Sequence, residues 1–297
     1  MLYTDAMAPG TLVLGTTLND VASRPPRYAM VTDDISAHVQ RLLERNGWSL
    51  ISVGATRPNP NGKHHKYYQS RLAGAYTKLE IYNMGHIAKR LVYLDTDTQV
   101  TENVDELCLC QGECGVVRSS FVNTGVLVVE PSEDMYRGML EQVPNIPSYN
   151  GGEQGFTNWF FAGFESCPMF YGAGDPCLTG TADGGCDSIS VGPDGLKTVC
   201  HRLPSYYNGD VGFHLLHNAW LFPKVFSLPR TEPKIVHHTL AIFKPWKWWS
   251  FHVMTSGWMW REAFVRTALY NPAKDMLLVT TVSAVPVLLW LYARRRF

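Results

Sequence analysis

The stretch that decides the fold is Lys89–Val100, "KRLVYLDTDTQV". Leu91 to Leu94 is continuously apolar and reads as a short buried strand. Asp95 and Asp97 follow at once, separated only by Thr96. In an extended segment residues i and i+2 project to one side, so the two carboxylates converge at the C-terminal end of the strand. Open α/β sheets bind their ligands at that end. Two carboxylates so close repel, and burying them is costly unless a cation sits between them. The competing reading of the tripeptide is a solvated Asp-Thr-Asp turn.

The surrounding chain alternates. "MLYT" is the stub of a strand, "APGTLVLGTTLND" a helix with Pro9 near its start, and "RYAMVT" a second strand. "ISAHVQRLLERNG" is a helix closed by Gly47, "SLISVG" a third strand, and "QSRLAGAYTKLEIYNMG" a helix leading into the Asp-x-Asp strand. A strand at "TGVLVVEP", a helix near "EDMYRGMLEQV", a turn at "NGGEQG", a helix at "FTNWFF" and a last strand at "PKIVHHTL" follow. This βαβαβ order predicts an α/β fold on a mostly parallel sheet with nucleotide-binding logic.

With 297 residues the chain can build one large α/β domain or two small ones. Lys plus Arg and Asp plus Glu both number 26, which gives no reason to expect nucleic acid as a partner. A hydrophobic share of 45% with 9 Trp and 14 Tyr excludes disorder. The seven cysteines fall in two groups. Cys108, Cys110 and Cys114 lie in "CLCQGEC", while Cys167, Cys177, Cys186 and Cys200 lie in a Gly-rich insertion at about 165–200. Neither group has the paired C-x-x-C spacing of a zinc site, so disulfides in an oxidising lumen are the favoured reading over zinc.

Near the C-terminus, "MLLVTTVSAVPVLLWLY" is uncharged and is followed by "ARRRF". Its length is the lower limit for a membrane-spanning helix, and a buried core helix is the rival. The basic tail fits the positive-inside pattern, and Trp246, Trp248, Trp249, Trp258 and Trp260 could form an interfacial belt. The body of the protein is then lumenal. A lumenal body requires a signal sequence, and "MLYTDAMAPG" has neither a basic start nor a long apolar run. Either the anchor is oriented the other way, or the sequence lacks its true N-terminus.

Four stretches, "YLDTDTQV", "NTGVLVVEPS", "YNGGEQGFTNWF" and "IVHHTLAIFKPW", occur in the order found in glycosyltransferase family 8, the glycogenin-like retaining enzymes. The resemblance runs from about Tyr3 to Trp249. "HRLPSYYNGDVG" and "FKPWKWW" resemble more specifically the branch of inositol phosphorylceramide glucuronosyltransferases, which also carries C-terminal membrane segments. The resemblance implies a GT-A fold over 1–250, a UDP-sugar donor, Mn²⁺, and a hydroxyl acceptor such as an inositol-containing sphingolipid. It is completed by a Trp-rich membrane-proximal segment at 251–275, a transmembrane helix at 276–293, and a Golgi membrane location with a lumenal catalytic domain.

Carried over by position, Asp95, Asp97 and His237 are the expected metal ligands, with His238 as rival to His237. The expected donor-binding set is Tyr3, Thr4, Lys78, Asp95, Thr96, Asp97, Asn123, Thr124, Asn150, Glu153, Gln154 and Lys244. Lys244 would hold the diphosphate, and Gln154, Glu153 and Asn150 form the expected catalytic group, with Gln154 near the anomeric carbon. The plain alternatives are a solvated helix lysine for Lys78, a turn residue for Asn123 and a helix first-turn carboxylate for Glu153.

The chain departs from the family pattern at several places. Asn150 stands where glycogenin has Asp, Glu153 replaces a shorter Asp, Ala241 replaces a Gly, and Met7 replaces an aromatic stacker. Arg71, His64 and His65 are cations available to a glucuronate carboxylate. Two other classes of function are compatible with these residues. One is a catalytically silent, membrane-tethered sugar-nucleotide or lipid-binding protein, and the other is a self-glucosylating glycogen primer.

Overall fold

The computed structural model of the protein describes residues 1–56, 70–118, 121–146, 148–149, 151–175, 189–191, 197–212, 233–240, 244–247 and 255–272. The chain enters through Leu2, which bridges in parallel to Val31, and then forms helix α1 (Ala8–Asp20). Strand β1 (Tyr28–Val31), helix α2 (Ala37–Arg45) and strand β2 (Ser49–Ser52) follow as a parallel βαβ unit. Ser36 caps α2 by accepting the amide of Val39. Gly47 takes φ +96° just past its end, a conformation that suits glycine.

The segment expected to be an α-helix before the Asp-x-Asp strand is instead 3₁₀-helical from Ser70 to Asn83. It contains Gly74 and the β-branched and aromatic residues Tyr76, Thr77, Ile81 and Tyr82, and its Ala75–Leu79 stretch is buried. Packing rather than α-propensity sets its winding. Strand β3 (Leu91–Leu94), the Asp95–Asp97 turn and strand β4 (Thr98–Val100) come next.

The expected mostly parallel sheet is a mixed one. Strands β5 (Glu113–Arg118) and β6 (Phe121–Val129) pair as a hairpin, with Arg118 opposite Phe121. A connection so short forces the antiparallel sense. Strand β6 then lies antiparallel to β3, so β6 runs against its neighbours on both sides. Strands β7 (Ile189–Val191) and β8 (Lys197–Arg202) extend the sheet to the order β3-β6-β5-β8-β7. A second sheet sets β4 beside β10 (Ile235–His237), and β10 beside the two-residue β9 (Gly209–Asp210).

The two faces of the larger sheet follow the period of two. Leu91, Tyr93, Leu127 and Val129 join one core with Tyr76, Leu79, Met139, Phe156 and Phe160. Helices α3 (Glu133–Gln142) and α4 (Glu153–Phe160) supply much of that side. Val92, Leu94, Val126 and Val128 face the other way, against Leu14 and Leu18 of α1. Helix α1 is buried almost all round, because helix α5 (Thr255–Phe264) covers its far side through Trp260 and Ala263 on Val13. Trp260, expected in an interfacial belt, is thus a core residue stacked on Phe264.

Cys110–Cys114 and Cys167–Cys200 are disulfides, and Cys108 is a half-buried thiol. Cys177, Cys186 and the expected span at 276–293 lie outside the described residues. None of the described helices is long and apolar enough to cross a membrane.

Candidate active site

The Asp-Thr-Asp tripeptide forms a turn rather than an extended segment. Asp95 N–H donates to Gly125 O at 2.8 Å, which prolongs the β3–β6 pairing by one residue. Asp95 O then accepts from both the amide and the hydroxyl of Thr98, at 3.1 and 2.7 Å, closing the turn. On the far side Asp97 O accepts from His238 N–H at 2.9 Å. The turn is therefore the crossing point between the two sheets. It is largely withdrawn from solvent: the side chains of Asp95 and Asp97 are 26% and 12% exposed.

His237, the last residue of β10, completes the cluster. One ligand atom from each of Asp95, Asp97 and His237 lies within 4.8 Å of the other two. His237 Nε2 is 3.3 Å from Asp97 Oδ1 and 3.9 Å from Asp95 Oδ2. Its ring rests on Gly125, where an added Cβ would overlap Cε1 and Nδ1. Two carboxylates and an imidazole drawn together at the junction of two sheets fit a divalent cation of the hard, oxygen-preferring kind. His238 is a poorer ligand candidate. Among the described residues it is not part of the cluster that joins Asp95, Asp97 and His237, and its enclosed Nε2 meets no hydrogen-bond partner there.

Two lysines balance the carboxylates. Lys244 Nζ pairs with Asp97 Oδ2 and donates to His238 O at 2.7 Å. Burial alone would raise the Asp97 pKa, but His237 when protonated, together with Lys244, outweighs it and holds the carboxyl well below its usual range. Lys78 is 5% exposed and lies behind the turn. Its Nζ is 2.6 Å from Glu153 Oε1 and 3.1 Å from Asp95 Oδ1, and it donates to Thr124 O at 3.2 Å. Burial disfavours the ammonium, yet Asp95 and Glu153 raise its pKa above the ordinary value. Asp95 also accepts from the Tyr93 hydroxyl at 2.8 Å.

Glu153 begins α4 and takes a hydrogen bond from Thr124 Oγ1 at 2.8 Å. The longer side chain thus reaches back to Thr124 and Lys78. Gln154 stands beside it, nearer the surface. Its Oε1 accepts the Thr124 amide at 3.3 Å, and its Nε2 donates to the Tyr149 hydroxyl at 2.7 Å. Carboxylates, imidazole, amide and lysines form one continuous polar site at the C-terminal edge of β3.

This site and its scaffold have relatives. The chain is 34% identical to inositol phosphorylceramide glucuronosyltransferase 1 of Arabidopsis thaliana over 271 residues, 90% of this chain and 45% of that protein. It is 28% identical to glycogenin-1 of Caenorhabditis elegans over 245 residues, 82% of this chain and 48% of that protein. The curated relatives of the chain are thus glucuronosyltransferases and glycogenin-like glycosyltransferases of family 8. The galactosyltransferase LgtC, crystallised with donor and acceptor sugar analogues, shares the fold. Its TM-score is 0.56 at 12% identity, covering 91% of this chain and 97% of LgtC. No family model matches the chain. The chain spans about half the length of the curated relatives it matches.

Of the residues expected from the family 8 resemblance, Asp95, Thr96, Asp97, His237, Lys78, Asn123, Thr124, Glu153, Gln154 and Lys244 are brought together here. Tyr3 is close by, its ring lying over Gly74. Thr4 is exposed and caps the short turn Asp5–Met7. Asn150, Ala241, His64 and His65 lie outside the described residues. Sequence reasoning missed Asn208, Gly125 and Tyr93. Asn208 lay within "HRLPSYYNGDVG" and Gly125 within "NTGVLVVEPS", but neither residue type announces the contact it makes.

Proposed function

We propose that the protein is a retaining hexosyltransferase that moves a sugar from a UDP-sugar to a hydroxyl acceptor with the help of Mn²⁺. The observation that carries this reading is the convergence of Asp95, Asp97 and His237 at 4.8 Å or less, with a glycine clearing the space for the imidazole. Asp95, Asp97 and His237 would hold the ion, and diphosphate oxygens would complete its shell. When bound, the ion supplies Lewis-acid neutralisation of the charge on departing UDP.

The protein's own groups divide the remaining work. Lys244, beside Asp97, serves as a point charge for the diphosphate. Lys78 neutralises Asp95 and Glu153 from behind and keeps the turn in place. Gln154, fixed by Thr124 and Tyr149, faces the sugar near its anomeric carbon. The Glu153 carboxylate is occupied by Lys78 and Thr124, which argues against its use as a covalent nucleophile. Front-face attack accounts for retention instead. The acceptor oxygen bonds to the anomeric carbon as the bond to UDP breaks on the same face, and a phosphate oxygen of UDP takes the acceptor proton.

The donor we favour is UDP-glucuronate and the acceptor an inositol-containing sphingolipid. This choice is supported by the 34% identity to an inositol phosphorylceramide glucuronosyltransferase. A membrane span at 276–293 would bring the site to such a lipid, with the body in the Golgi lumen. Two disulfides accord with an oxidising compartment.

The test is a panel of UDP-sugars with Mn²⁺, with and without inositol phosphorylceramide vesicles, read by product mass. UDP release from one donor and a mass-shifted lipid are expected. Asp97→Asn should lower turnover about 10²–10³-fold while the fold survives. Unchanged turnover in that variant would refute the metal assignment, and no consumption of any UDP-sugar would refute the enzyme reading.

A further inference from the structure

His237 has two ring nitrogens, and only Nε2 faces the aspartates. Its Nδ1 lies 2.9 Å from Asn208 Oδ1. Which nitrogen carries hydrogen follows from the polarity of a short chain of contacts. The backbone N–H of Gly125 can only donate, and it meets the Asn123 side chain at 3.0 Å, so the Asn123 atom there is its oxygen. That oxygen and the Asn123 backbone carbonyl both face one side-chain atom of Asn208, at 3.0 and 3.4 Å. Two acceptors require a donor, so this atom is the Asn208 amide nitrogen. The other arm of the amide, against His237 Nδ1, is therefore oxygen. Nδ1 must donate to it.

We propose that Asn208 is a positioning residue of the metal centre, holding neutral His237 in the Nδ1–H tautomer so that the Nε2 lone pair is aimed between Asp95 and Asp97. The proposal rests on the metal reading above. The local fold makes the arrangement stiff. Asn208 is fully buried at the end of the turn Ser205–Asn208, and the next residue, Gly209, opens β9 alongside β10. The pairing of β9 with β10 thus sets Asn208, the residue just before β9, beside His237, while the His237 ring rests on Gly125.

The choice of an amide also matters. A histidine that ligates a metal usually donates its other N–H to a carboxylate, a carbonyl or water. A carboxylate at this place would add a third negative charge behind a site that already holds two. The amide fixes tautomer and ring orientation and leaves the charge of the centre unchanged.

The experiment uses the full chain labelled with ¹⁵N-histidine, metal-free and well above the range in which an imidazole titrates. The His237 Nε2 resonance should have the shift of an unprotonated ring nitrogen, and Nδ1 that of a protonated one. Asn208→Leu, of similar volume but without donor or acceptor, should mix the tautomers. It should also weaken Mn²⁺ binding about 10–100-fold in a paramagnetic resonance titration. Asn208→Asp keeps an acceptor toward Nδ1 and should retain the wild-type tautomer. A proton on Nε2 in the wild type would overturn the proposal, even if Asn208→Leu failed to fold. An unchanged tautomer and Mn²⁺ affinity in Asn208→Leu would overturn it equally. A wild type with the Nδ1–H tautomer and no Mn²⁺ uptake would instead overturn the metal reading, leaving the tautomer assignment intact.

Discussion

Removing Lys78 exposes how the site is held together. Its Nζ lies 2.6 Å from Glu153 and 3.1 Å from Asp95, and the side chains of Lys78 and Glu153 are 7% and 9% exposed. At an effective dielectric of about 20, the attraction to Glu153 is roughly 6 kcal/mol before desolvation is subtracted. The pair's net contribution is far smaller, because both charges had to leave water. Deleting one partner is a different matter, since it strands the other. In Lys78→Met the Asp95 carboxylate keeps the Tyr93 hydroxyl and a quarter of its side-chain surface in solvent. Glu153 keeps only the Thr124 hydroxyl among its described hydrogen bonds, so most of the penalty falls there. The expected loss is about 3–5 kcal/mol, read by urea unfolding. Lys78→Met combined with Glu153→Gln leaves no stranded charge on that side, and should recover roughly 2–3 kcal/mol relative to the sum of the single losses. A Lys78→Met loss below about 1 kcal/mol, or a double variant that is simply additive, would refute the account of Lys78 as the buried counterion.

Gly125→Ala places a methyl group where the His237 ring now rests, and should weaken Mn²⁺ binding at least about 10-fold in the same paramagnetic titration. Glu113 is buried with the Tyr82 hydroxyl on its carboxyl, and burial pushes its pKa from 4.5 up to about 8. Between those values the folded chain keeps a proton that the unfolded chain has released, so Glu113 makes stability fall as pH rises through the window. Glu113→Gln removes that fall, and its melting temperature should rise above wild type toward pH 8, the gain having a ceiling of roughly 5 kcal/mol. Replacing both Cys167 and Cys200 by Ala opens a loop with a sequence separation of 33 and should cost about 4 kcal/mol in urea unfolding under oxidising conditions.

Much of this architecture was legible in the sequence because it rests on local patterning. The helix at Ala8–Asp20, the βαβ unit through Ser52 and the strand before Asp95 all carry the periodicity or end signals that define them. What escaped was set by long-range contacts. The β5–β6 hairpin could not be separated from a single apolar run at "TGVLVV", because strand sense depends on a partner the pattern does not name. The two aspartates do converge, but through a turn closed by Thr98 rather than along an extended strand. Lys78 reads in sequence as an ordinary helix lysine, and its burial becomes visible only when α4 brings Glu153 against it. The resemblance supplied Glu153 and Lys78 as members of one site without showing that they would spend their charges on each other. Asn208 had no signal of its own: an asparagine after two tyrosines is an ordinary turn residue until β9 sets it beside His237.

Gly10 is the point at which helix α1 touches the Asp-x-Asp turn, so close that any side chain there would overlap the carbonyl of Thr96. One turn further along, Val13 is covered by Trp260, and at the helix end Asp20 takes two hydrogen bonds of 2.6 Å from Arg266. The helix therefore works as a strut, clamped at one end by the residues that follow α5 and butted at the other against the peptide between the two aspartates. Packing of α5 on Val13 is thereby linked, through a single helix, to the peptide between the two aspartates.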